Sequence, residues 1–122
     1  MADECCFSDT PVLIFACSGG SNVGQVANQA AVKLDVENVG KIFCLAGLGG
    51  HVESFIESSR GSRNVVIDGC QVACAKKLLE HADIPISEYI VVTDLGIKKS
   101  HDFNLAQQDI ARVCDEVKNR LS

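Results

Sequence analysis

The chain has no tryptophan, one tyrosine, one methionine and two prolines, and aromatic residues make up only 5% of it. A core built from it must therefore rest on Val, Ile, Leu and Ala. No stretch approaches the roughly 18 apolar residues of a membrane-spanning helix, so a membrane location is not expected. Basic charge is also scarce. Eleven Lys and Arg stand against 16 Asp and Glu, for a net charge of −5. An acidic chain without a basic stripe is a poor nucleic-acid binder. The segment Met1 to Asp9 carries three acids and no basic cluster, so it does not read as a secretory signal. The expectation is a cytoplasmic protein.

What the chain does have is apolar content, at 47%, and seven cysteines in 122 residues: Cys5, Cys6, Cys17, Cys44, Cys70, Cys74 and Cys114. The length suits one domain. Residues 1–10 read as a flexible, polar start and residues 11–122 as the domain. The cysteine count is odd and the chain is large enough to fold without staples. In a reducing compartment such a density points to metal or thiol chemistry rather than to a disulfide framework.

Short apolar runs and helical patterns alternate. Val12 to Ala16 reads as a strand covered on both faces. It ends at Cys17-Ser18-Gly19-Gly20-Ser21-Asn22, where Ser21 or Asn22 suits a helix cap. A helix follows, with Val23, Val26, Ala27, Ala30 and Leu34 at helical spacing. Lys41 to Leu45 is a second strand, followed by the Gly-rich turn Ala46 to Gly50 and a helix bearing Val52, Phe55 and Ile56. Asn64 to Ile67 is the third strand, leading through Asp68-Gly69 into a helix expected from Cys70 to His81. Tyr89 to Val92 is the fourth strand, and a last helix is expected from Asn104, with Gln107 placed as in a capping box. Four such alternations predict an α/β domain: a mostly parallel four-stranded sheet with helices on both faces. By analogy with doubly wound folds the strand order is expected to be 2-1-3-4.

In a parallel sheet all the C-terminal strand ends lie on one edge. Cys17, Cys44 and Cys70 each fall at or just after such an end, and adjacent strands lie about 4.8 Å apart. With Cys70 in the helix, Cys74 lies one turn further on the same face. Four thiols so gathered suit a tetrahedral Zn²⁺ site, and helix N-termini there favour thiolates. A redox or nucleophilic role for Cys17 or Cys70 competes with this reading. A Cys70–Cys74 disulfide is disfavoured, because the Cβ atoms of an i,i+4 pair are about 5–6 Å apart and a disulfide wants about 3.8 Å. An iron–sulfur site ranks last, since the spacing matches no ferredoxin pattern. The Cys17 loop has the shape of an oxyanion cradle, yet it holds no Arg and no Gly-Lys-Ser/Thr. Phosphoryl transfer is therefore not expected, while a small-anion site on the Ser18 and Gly19 amides is compatible with the loop.

These motifs, in this order, resemble the DGC-domain proteins, a family named for its Asp-Gly-Cys motif. The resemblance rests on Cys17-Ser18-Gly19 with Gly24, on Phe43-Cys44-Leu45-Ala46-Gly47, on Ile67-Asp68-Gly69-Cys70 with Cys74, and on Thr93-Asp94-Leu95-Gly96 with Lys99. It implies zinc as the cofactor, with Cys17, Cys44, Cys70 and Cys74 as ligands and Cys5 and Cys6 as additional candidates. Asp68, Ser18, Gly19 and Lys99 would tune the ligands or hold an anion. Asp68 could equally cap the helix that follows it. His51 is a further candidate ligand, although a solvated helix-start residue explains it as well. His81 suits a helix C-terminus, and Cys114 reads as structural.

Overall fold

The computed structural model describes residues 10–122. Four strands form one parallel sheet: β1 (Val12–Ala16), β2 (Lys41–Ile42), β3 (Arg63–Asp68) and β4 (Glu88–Val91). Their order is β2-β1-β3-β4, as expected. The register runs Leu13 to Lys41, Leu13 to Asn64 and Val66 to Tyr89. Among the described residues the five α-helices are α1 (Asn22–Val36), α2 (Leu45–Gly49), α3 (Glu53–Arg60), α4 (Cys74–His81) and α5 (Gln107–Leu121). A short 3₁₀ turn covers Val92–Leu95.

Alternating strand side chains feed two cores, one on each face of the sheet. On one face Ile14, Ala16, Val65, Ile67 and Ile90 pack against Val23, Val26, Ala27 and Ala30 of α1 and Ile110, Val113 and Val117 of α5. On the other face Leu13, Phe15 and Val66 meet Leu48, Ile56, Ala75 and Leu79 from α2, α3 and α4. With few large aromatics, the first core closes through alanines that let α1 lie near the sheet. Cys114 belongs to this core, its thiol directed at the Ala30 carbonyl 3.5 Å away, a structural role as expected.

Four boundaries differ from expectation, each for a local reason. β2 stops at Ile42, although the Phe43 N–H still donates to the Ile14 carbonyl at 2.9 Å. The Gly-rich stretch after it is a short helix, α2, because Leu48 turns into the core and Gly47 gives Phe55 its place. α4 starts at Cys74 rather than Cys70, since Ala73 adopts a left-handed conformation (φ 60°, ψ 44°) that separates the Cys70 turn from the helix. α5 starts at Gln107, because the preceding loop is fastened elsewhere. The Asn22 side-chain amide donates to the Lys98 carbonyl at 2.8 Å and accepts from the Ser100 N–H, and the Asn22 N–H donates to the Ser100 carbonyl.

Candidate functional site

The C-terminal edge of the sheet is built on close backbone contacts. A Cβ placed on Gly69 would lie 2.7 Å from the Gly24 nitrogen, and one on Gly24 would lie 2.7 Å from the Gly19 nitrogen. Neither neighbour is a side chain that can swing away. Glycine at these positions therefore lets the loop after β3, the start of α1 and the loop after β1 stack without a gap. Ser21 caps α1 by accepting from the Gly24 N–H at 3.2 Å. The Gln25 amide donates back to the Gly19 carbonyl at 2.9 Å. On the other side the Thr93 N–H reaches the Gly69 carbonyl at 3.2 Å.

Asp68 ends β3 and is only 1% exposed. A carboxylate there must have its charge answered. It accepts from the Ala75 N–H at 2.8 Å, the Lys76 N–H at 3.0 Å and the Tyr89 hydroxyl at 2.9 Å. It thus caps α4 from seven and eight residues upstream, which is the capping role foreseen for it. The cost falls on Tyr89. Burial, then the hydrogen bond and charge of Asp68, push the Tyr89 phenol far above its ordinary range.

The cysteines occupy this edge on separate loops. Cys17 is partly buried, its N–H bonded to the Ile67 carbonyl at 3.0 Å. Burial pushes its thiol up, hydrogen bonds from the Gly69 and Gly19 backbone oppose this, and the neighbouring Asp68 and Cys74 push it further up. Cys74 is exposed at the first turn of α4. Cys44 is exposed just before α2 and shares the wall of a cavity with Cys17. Cys70 lies in the turn between β3 and α4, with the Lys99 ammonium 3.5 Å from its sulfur. In the same turn the Gln71 amide donates to the Asp94 carboxylate at 2.7 Å.

The edge expected to carry Cys17, Cys44, Cys70 and Cys74 does carry all four. The helical relation expected between Cys70 and Cys74 does not hold, because the left-handed Ala73 intervenes. The thiols suit zinc in kind, being four soft donors on one edge. In position, among the described residues no three His, Cys, Asp or Glu side chains converge on a point that would hold a metal ion. Cys5 and Cys6 lie outside the described residues.

His51 stacks edge-on against His81 with ring centroids 6.2 Å apart, at the C-terminal end of α4. The signals that sequence reasoning missed are Gln71, Asp94 and Tyr89, whose roles depend on contacts across the β3–β4 edge.

The family model described as the DGC domain matches residues 13–117. The chain is 33% identical over 116 residues to the Anaerobic and virulence modulator AnvM of Pseudomonas aeruginosa, covering 93% of this chain and 88% of the relative. No solved structure matches.

Proposed function

As the chain belongs to the DGC domain family, we propose that it is a metal-handling protein that takes zinc through thiolates at the C-terminal edge of its sheet. The supporting observation is the arrangement around Cys17: four free cysteines on one edge, with Cys17 and Cys44 lining the same cavity. Thiolates need compensation for their charge. Cys17 has the Gly69 and Gly19 backbone donors, and Cys70 has the Lys99 ammonium. Cys17, Cys44, Cys70 and Cys74 would hold the metal, with Cys5 and Cys6 as further donors. The ion would act as a thiolate-bound Lewis acid or as a cargo.

Handling is favoured over a closed structural role. Structural zinc sites are four-coordinate and closed, whereas Cys44 and Cys74 are exposed and no three ligand side chains converge among the described residues. Binding then includes closure of the loops that carry Cys44 and Cys70. Metal content of the protein purified without added metal, compared with Cys17→Ser and Cys74→Ser, tests the reading.

A second reading has its own observation. The Lys99 ammonium, 3.5 Å from the Cys70 sulfur, provides the positive neighbour that a nucleophilic thiolate uses. If Cys70 acts as a nucleophile in metal-free protein, Lys99→Met slows its alkylation several-fold and leaves Cys44 unaffected.

A further inference from the structure

The cavity between β1, β2 and α4 has a character of its own. Its volume is about 440 Å³, within the range of small-molecule sites, roughly 300–1,000 Å³. Among the described residues, none of the ten that line it is charged. Ile42, Phe43, Leu45 and Leu78 make its walls apolar. Phe43 is fixed by edge-to-face contacts with Phe15 at 5.8 Å and Phe55 at 5.4 Å, so this wall is a built surface. The reactive groups on the lining, among the described residues, are the two thiols of Cys17 and Cys44.

We infer that this cavity binds a small, uncharged, largely apolar disulfide and exchanges it with the Cys44 thiol. The inference goes beyond metal binding and does not depend on it. An uncharged lining gives no ion-pair partner to a charged disulfide, and the chain's net charge of −5 disfavours anionic ones further. An apolar wall rewards a hydrocarbon or aromatic substituent. Cys44 is the exposed thiol of the two, while Cys17 is partly buried and harder for a disulfide to reach. In the exchange, Cys44 first gives its proton to water. Its thiolate then attacks one sulfur of R–S–S–R. The Cys44–S–S–R bond forms as the R–S–S–R bond breaks, and the second sulfur leaves as R–S⁻ with the electron pair. No outside oxidant or reductant enters.

The test uses the full chain, freed of metal by a chelator so that zinc does not compete for the thiols. Two aromatic disulfides are compared: neutral dithiodipyridine and the dianionic Ellman reagent. The adduct is located by peptide mass, and rates are referenced to a free cysteine derivative. Cys44 is expected to be the first residue modified, with a rate that saturates in dithiodipyridine. The neutral probe should be preferred over the dianion by about tenfold relative to the free thiol, a difference of about 1.4 kcal/mol. Dipyridylethane, which has two similar rings and no sulfur, should inhibit competitively. Ala46 lines the cavity at an exposed position, so Ala46→Trp should fill the mouth and abolish saturation. A rate linear in probe with no preference beyond that of the free thiol overturns the inference. So does first modification at Cys5, Cys6, Cys70 or Cys74, or a lack of inhibition by dipyridylethane, and these outcomes do not rely on the variant.

Discussion

Gly69 lies against Gly24 so closely that a Cβ on Gly69 would sit 2.7 Å from the Gly24 nitrogen. This contact locks the Asp-Gly-Cys turn onto the start of α1, and through Gly19 onto the loop that carries Cys17. Gly69→Ala should therefore destabilise the protein by about 1–3 kcal/mol, the usual cost of overpacking. Gly20→Ala is the control, because a Cβ there meets nothing within 4 Å. Its stability should stay within about 0.5 kcal/mol of wild type. Urea unfolding of both variants makes the comparison. Equal stabilities would mean that the turn is not held by this contact.

Tyr89 is the single tyrosine and there is no tryptophan, so the near-ultraviolet tyrosinate band reports one group. Burial, together with the bond to Asp68, raises its pKa in the folded state. The stabilisation is fully present below the unfolded value of about 10 and is lost as pH rises through the folded value. Folded protein should therefore show little tyrosinate at a pH where urea-unfolded protein is half ionised. The extra loss of stability above about pH 10 should disappear in Tyr89→Phe. Asp68→Ala should bring the tyrosine titration down. By leaving the Ala75 and Lys76 N–H groups uncapped, it should also cost at least about 2 kcal/mol. An ordinary tyrosine titration in the folded protein would contradict the hydrogen bond.

The thiols should differ in reactivity in the order of their surroundings. Cys44 and Cys74 are exposed, whereas burial pushes the thiols of Cys17 and Cys114 up. Brief treatment of metal-free protein with iodoacetamide near neutral pH should label Cys44 and Cys74 first. Cys17 should lag by about tenfold or more, and Cys114 should react only on unfolding. Peptide mass spectrometry reads the order. Early labelling of Cys17 would mean that its loop opens readily.

Much of this architecture is legible in the chain because parallel strands have a strong local signature. Val12–Ala16 and Val65–Ile67 are continuous apolar runs that each lead into a glycine-bearing turn, and the helices between them carry regular apolar stripes. Strand ends then place Cys17, Cys44 and Cys70 on one edge without knowledge of any contact. The details that escape sequence reading depend on contacts between distant residues. Nothing local to Cys70-Gln71-Val72-Ala73 says that Ala73 turns left-handed, because Asp68 captures the Ala75 and Lys76 amides only once β3 and α4 are in place. The capping-box pattern at Asn104 and Gln107 likewise fails because Asn22 fastens the Lys98–Ser100 segment from the other end of the chain. The relation of Lys99 to Cys70 joins two loops 29 residues apart. Its proximity to the edge could be read from the sequence, but its partner could not.

Metal analysis of the full chain tests most directly whether the edge thiols take zinc. Protein purified without added metal should carry about one zinc per chain, the stoichiometry of a mononuclear thiolate site. Cys17→Ser and Cys74→Ser should each lose most of it, while Cys114→Ser, in the core, should keep it. Zinc-free wild-type protein that also fails to take up added zinc would contradict the account, as would zinc retained in full by Cys17→Ser.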